Sequence, residues 1–80
     1  MKEDVARLVV VESFRASASL GNLMPLLKEH LTSEEYATVS SALARCMGQI
    51  GLEVLNPLFV EHPELKEELD RRVHTYGRAF

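Results

Sequence analysis

A lone cysteine, Cys46, is the only thiol in the 80 residues. The disulfide framework that holds many small secreted domains together is therefore excluded, and a reducing compartment, by default the cytoplasm, is expected. Four glycines and three prolines are too few for a loop-rich fold. No apolar run approaches the ~20 residues that a bilayer crossing takes, the longest early one being Leu8 to Val11. The start carries Glu3 and Asp4 where a secretory signal would carry basic residues, so no signal segment is expected. A net charge of −3 gives no encouragement to nucleic acid or to an anionic membrane, since both reward an excess of Lys and Arg. Internal repeats and low-complexity tracts are absent as well.

What remains is ordinary globular material, 46 % hydrophobic and 26 % charged, which argues against disorder. The length supports one all-α domain over residues 1–80. A chain this small hides only about 60 to 65 % of its unfolded surface, so its stability is delicate and a second copy would help it.

Helical periodicity is the dominant signal. Tyr36, Val39, Leu43, Cys46, Met47, Ile50, Val54 and Leu58 recur at three- and four-residue steps and stack along one stripe of a helix over 34–60. Ala37, Ser41, Ala44, Gly48, Gly51 and Leu55 line the adjacent flank, so this helix needs neighbours on two sides. Thr32 followed by Glu35 reads as a capping box at its start. Asn56-Pro57 disfavours α conformation at Asn56, so the helix is expected to reach about Leu55 and then bend or end.

Residues 3–20 form the other long helix, with Val5, Leu8, Val9, Ala16, Leu20, Leu23 and Leu27 as its expected core stripe. Val9, Val10 and Val11 admit a strand, but the helical spacing continues on both sides and no second strand is available for pairing. Gly21 is placed as a helix stop, Asn22 as an N-cap and Pro25 in a first turn; the alternative is one helix kinked there. A third, shorter helix begins at Pro63, carries Leu65, Leu69, Val73 and Tyr76, and stops at Gly77. The expected fold is an antiparallel helical hairpin, its first helix jointed near Gly21 to Pro25, with this third helix across one end, assembled as a dimeric helical bundle.

Two groups of residues suggest contact surfaces. Ser13, Ser17 and Gly21 on one helix and Ser40, Ala44 and Gly48 on the other let backbones approach closely, within the chain or between two copies. Val10, Val11, Phe14 and Ala18 lie off the expected core stripe as a second apolar patch, the kind that marks interfaces. The candidate interface is therefore Val10, Phe14, Ala18, Ala44, Gly48, Gly51 and Leu55.

Chemistry-bearing residues are sparse. Glu12 projects toward the expected stripe of the first helix, where a carboxylate is either perturbed or paired, with Arg15 or Arg45 as partner. Cys46 reads as a small core hydrophobe lacking a nearby base. His30, His62 and His74 have no partner at metal-ligand spacing. In the last helix Glu61, Glu64, Glu67, Glu68 and Asp70 precede Arg71, Arg72, His74 and Arg78, an order that complements the helix dipole. Arg71, Arg72 and Arg78 form a possible anion or nucleic-acid contact. A helix-turn-helix reading conflicts with the acidic first turn after Pro63, which phosphates would repel.

The functional class that follows is a non-enzymatic protein–protein interaction module, a regulator, adaptor or inhibitor, expected to be a homodimer with a further protein partner. No catalytic residue, cofactor, metal or membrane contact is expected. The alternative is a small helical DNA-binding transcriptional regulator using the basic C-terminal end. A third possibility is an enzyme or ligand-binding bundle built on Glu12, Cys46 and a histidine.

Overall fold

The computed structural model describes residues 1–77. Every regular element among them is helical: α1 Glu3–Asn22, α2 Met24–His30, α3 Ser33–Gln49, a π-helical segment Ile50–Leu55, α4 Asn56–Glu61 and α5 Pro63–Tyr76. Three rods result. The first is α1 with α2, the second runs through α3, the π segment and α4, and the third is α5.

The joint of the first rod falls at Leu23, within the expected Gly21 to Pro25, although Gly21 itself is not the helix stop. α1 continues through Gly21 and Asn22, and Leu23 keeps right-handed helical angles. Its N–H donates to the Leu20 carbonyl at 3.2 Å, while the Leu27 N–H returns to the Leu23 carbonyl at 2.9 Å. Asn22 therefore caps nothing, because helical backbone on both sides of the joint takes up the groups a cap would serve. Pro25 does occupy the first turn of α2, where its missing N–H costs least.

The second rod starts on the capping box. Thr32 Oγ1 accepts from the Glu35 N–H at 3.1 Å, and Glu35 Oε1 accepts from the Thr32 N–H at 2.9 Å. The rod then passes Asn56-Pro57 without ending. Pro57 has no N–H, and its ring presses toward the carbonyl four residues back, that of Glu53. A wider turn relieves this: the Asn56 N–H reaches the Gly51 carbonyl, five residues back, and such π turns are the usual accommodation inside an α-helix. From Ser33 to Glu61 the rod is about 43 Å long at 1.5 Å per residue, close to the molecule's longest dimension of 45 Å.

α5 begins at Pro63 and ends at Gly77, whose φ of 71° is the left-handed conformation that glycine adopts without strain. Leu65 and Leu69 are buried as its spacing implies, but Val73 is exposed. The tail at 78–80 and the Tyr76 side chain lie outside the described residues.

The core is a cluster of Ala6 and Val10 from α1, Leu58 from α4 and Leu65 from α5, with Val9, Val54, Leu55 and Phe59 packed against it. This overturns part of the expected core stripe of α1, in which Val9 does pack on the cluster and Leu20 and Leu27 are half-buried. Leu8 is 65 % exposed, and Val5 and Leu23 are also exposed. The inward face is instead Ala6, Val10, Ser13, Ser17 and Gly21, turned by roughly 100° about the helix axis. Small side chains explain the choice, since they let α1 lie close to the second rod: a Cβ added at Gly21 would stand 3.4 Å from Met47 Cε. Cys46, expected in the core, is exposed because the inward line of α3 runs through Tyr36, Ser40, Leu43 and Met47, and Cys46 sits beside it.

Truncating Leu65, 2 % exposed, to alanine is expected to lower the unfolding free energy by about 2–5 kcal/mol, while Val73→Ala costs well under half of that; urea titration followed by circular dichroism measures both. Gly48 lies in α3 with nothing within 4 Å of an added Cβ, so Gly48→Ala is expected to stabilise the chain by about 0.5–1 kcal/mol in the same titration.

Candidate functional site

Two kinds of surface bear on function, one apolar and one charged. The apolar one follows from how little the three rods hide. Among the described residues only Ala6, Val10, Leu58, Leu65 and Leu69 are buried, and no polar or charged side chain is. The molecule exposes 5733 Å², whereas a compact monomer of its 9.0 kDa exposes about 4,900 Å². Its radius of gyration is 14.6 Å, against about 11.6 Å for a compact chain of this length. With a third dimension of only 15 Å, the molecule is a slab too thin for a thick core, so large side chains remain in water. Val5, Leu8, Leu23 and Leu26 do so on the first rod, and Leu52 and Val60 on the second, Val60 at 82 % exposure.

The candidate interface residues scatter across this arrangement. Val10 is a correction: at 2 % exposure it is a core residue covered by Leu58 and Leu65, because the face of α1 that carries it turns inward. Leu55 packs against the same cluster. Phe14 and Gly51 are half-buried, whereas Ala18, Ala44 and Gly48 are exposed. Neither Gly48 nor Gly51 answers a close intrachain contact. The signal that could have located the exposed apolar side was present in the sequence, since α1 carries two apolar faces and the inward one holds the smaller residues.

The charged surface gathers where α1 meets α5. Arg7 Nε donates to Glu68 Oε2 at 3.0 Å, Arg7 Nη2 to Glu3 Oε1 at 3.2 Å and Arg72 Nη2 to Glu68 Oε1 at 3.5 Å. Glu68 thus ties two arginines from different helices. The hydrogen bond from Arg7 holds its carboxyl below the usual carboxylate range, with the Arg7 and Arg72 charges adding to the effect. An open depression of about 340 Å³ is lined by Glu68, Arg71, Arg72 and Thr75. Glu68 in its wall opposes an anion there. Arg78 lies outside the described residues.

Other candidates fall into place individually. Glu12 does not point into the core; it is exposed and accepts from Arg15 Nη1 at 3.1 Å, one of the two partners expected. His62 bridges the α4–α5 corner, its Nε2 standing 3.1 Å from the Met1 carbonyl and its Nδ1 3.4 Å from Glu64. The Met1 ammonium donates to Glu61 at 2.9 Å. Among the described residues no three His, Cys, Asp or Glu side chains gather as a metal site would require, and no helix is long and apolar enough to cross a membrane. Glu12 is engaged on α1, Cys46 is exposed on α3 and His62 is held at the α4–α5 corner.

Comparison with protein-family models, with curated proteins and with solved structures returns no match. The functional reading therefore rests on the surfaces themselves.

Because Glu68 has a lowered pKa in the folded chain, its contribution to stability is present above the ordinary glutamate value and is lost as pH falls through the lower folded value. Glu35, held down by its hydrogen bonds with Thr32, acts in the same sense. Stability is expected to decline on acidification from about pH 5 toward pH 3. Glu68→Gln should be less stable than the parent at neutral pH and show a shallower acid decline, as read from urea midpoints across that range.

Proposed function

We propose that the chain is a non-enzymatic protein–protein interaction module, a regulator, adaptor or inhibitor, that works as a cytoplasmic homodimer through an apolar helical surface. The observation that carries this reading is the excess of exposed surface, 5733 Å² against about 4,900 Å² for a compact monomer of the same mass. Large exposed apolar areas on water-soluble folds mark interaction sites, because leaving them in water forgoes about 25 cal/mol per Å². The contact surface draws on Leu8 and Leu52, both 65 % exposed, and on their neighbours.

The same reading includes an antiparallel hairpin of the first two rods within a dimeric bundle. Supporting the hairpin, Gly21 lies by Met47 while Ala6 and Val10, earlier in α1, cluster with the later Leu58.

The test compares the parent chain with a Leu8→Asp/Leu52→Asp variant, both by sedimentation and by retention of proteins from an extract of the host cell. The parent is expected to associate with itself or with a retained protein, and the variant to lose that association with its helical circular dichroism unchanged. A parent chain that sediments at 9.0 kDa and retains nothing would overturn the reading.

A further inference from the structure

We infer that a second copy of this chain covers the solvent-facing strip of α1 and α2, with the two strips running antiparallel across a two-fold axis. The inference rests on the homodimeric interaction-module reading and adds the face and the direction. Val5, Val9, Glu12, Ala16, Ser19, Leu23 and Leu26 follow one another at alternating steps of four and three residues. That is the spacing of a coiled-coil seam. Right-handed helical angles at Leu23 and the 2.9 Å bond from the Leu27 N–H to its carbonyl carry the seam across the joint, giving a strip about 32 Å long. Along it Val5, Leu23 and Leu26 are exposed, with Leu8 beside them; Glu12, Ala16 and Ser19 are exposed too, while Val9 sits at the inner edge of the strip, half-buried against the chain's own core cluster.

The order of side chains supplies the direction. Bulky residues stand at both ends, Val5 and Leu8 at one and Leu23 and Leu26 at the other, while the middle holds Glu12, Ala16 and Ser19. Turning one strip end for end about a point between Arg15 and Ala16 sets Val5 against Leu26 of the second copy and Leu8 against its Leu23. Glu12 then faces the Ser19 hydroxyl of the second copy, which can donate to it. At the centre Ala16 faces Arg15 of the second copy. A parallel pairing in register would instead oppose Glu12 to Glu12, and like charges across an interface are penalised. The antiparallel pairing is isologous and closes as a dimer.

The area agrees. The chain as a whole exposes 5733 Å², about 800 Å² more than the roughly 4,900 Å² of a compact monomer of its mass, and a stable interface of standard size hides about 800 Å² on each partner.

Sedimentation equilibrium and cysteine cross-linking test the inference. The parent chain is expected at twice its 9.0 kDa mass, and Leu8→Asp, or separately Leu26→Asp, should raise the dimer Kd at least about thirtyfold. In a Cys46→Ser background, the double variant Val5→Cys/Leu26→Cys should oxidise to a covalent dimer, since the two positions within one chain are too far apart to bridge. Val5→Cys alone should not cross-link. A parent that stays monomeric overturns the inference and the homodimeric part of the proposed function, leaving its interaction-module part to be judged by partner retention. A dimer that ignores Leu8→Asp and Leu26→Asp yet dissociates with Gly48→Leu overturns it by moving the interface to α3, with that broader reading intact. Cross-linking through Val5→Cys alone overturns the antiparallel direction.

Discussion

Leu65 of α5 seats beside Ala6 and Val10 of α1 and Leu58 of α4, and the mutual placement of the three rods depends on that cluster. It is a small anchor for a long object. One end of the slab is pinned by buried aliphatic side chains, while toward Met24 and Leu43 the contacts are half-buried. Side chains at this end therefore contribute more per residue to stability than those elsewhere, because they alone lose nearly all contact with water. The ion pairs of Arg7 with Glu68 and of the Met1 ammonium with Glu61 border the cluster and fix orientation more than they add energy, since partly exposed pairs are worth little.

The narrow core and the exposed surface are two aspects of one geometric fact. Helices 10 Å or so across, laid beside one another in a slab, bury one stripe each and leave the remainder in water. α1 is the clearest case, with apolar residues on more than one side. Its smaller side chains meet the second rod, and its larger ones, Leu8 among them, stay outside. Close approach is satisfied within the chain, and the bulkier face stays in water.

Two prolines inside otherwise helical stretches are handled differently, and the difference shapes the slab. Pro25 falls in a first turn after a one-residue joint, so nothing is lost. Pro57 falls within the second rod, where the backbone widens into a π segment from Ile50 to Leu55 and continues. That segment lies against α1 and supplies Val54 and Leu55 to the cluster. The backbone stays helical from α3 into α4, and the corner that leads into α5 is deferred to His62-Pro63, where His62 leaves helical geometry.

Much of the fold was legible because local chemistry decides it. The capping box at Thr32 and Glu35, Pro63 as a first helical residue, Gly77 in the left-handed conformation and the all-helical periodicity are settled by neighbours within a few positions in the chain. The π segment was not legible, since Asn56-Pro57 reads equally as a stop or a bend until the rest of the rod is in place. Of the two apolar sides of α1, the one carrying Val10 was expected to face outward and is buried, while the one carrying Val5 and Leu8 is exposed. The sequence by itself determined which residues share a face of each helix, because helical pitch is a property of the backbone alone. Only the tertiary structure decided which face turns inward, because rotating a helix about its own axis costs nothing until another rod is pressed against it, and then the smaller side chains win the inside.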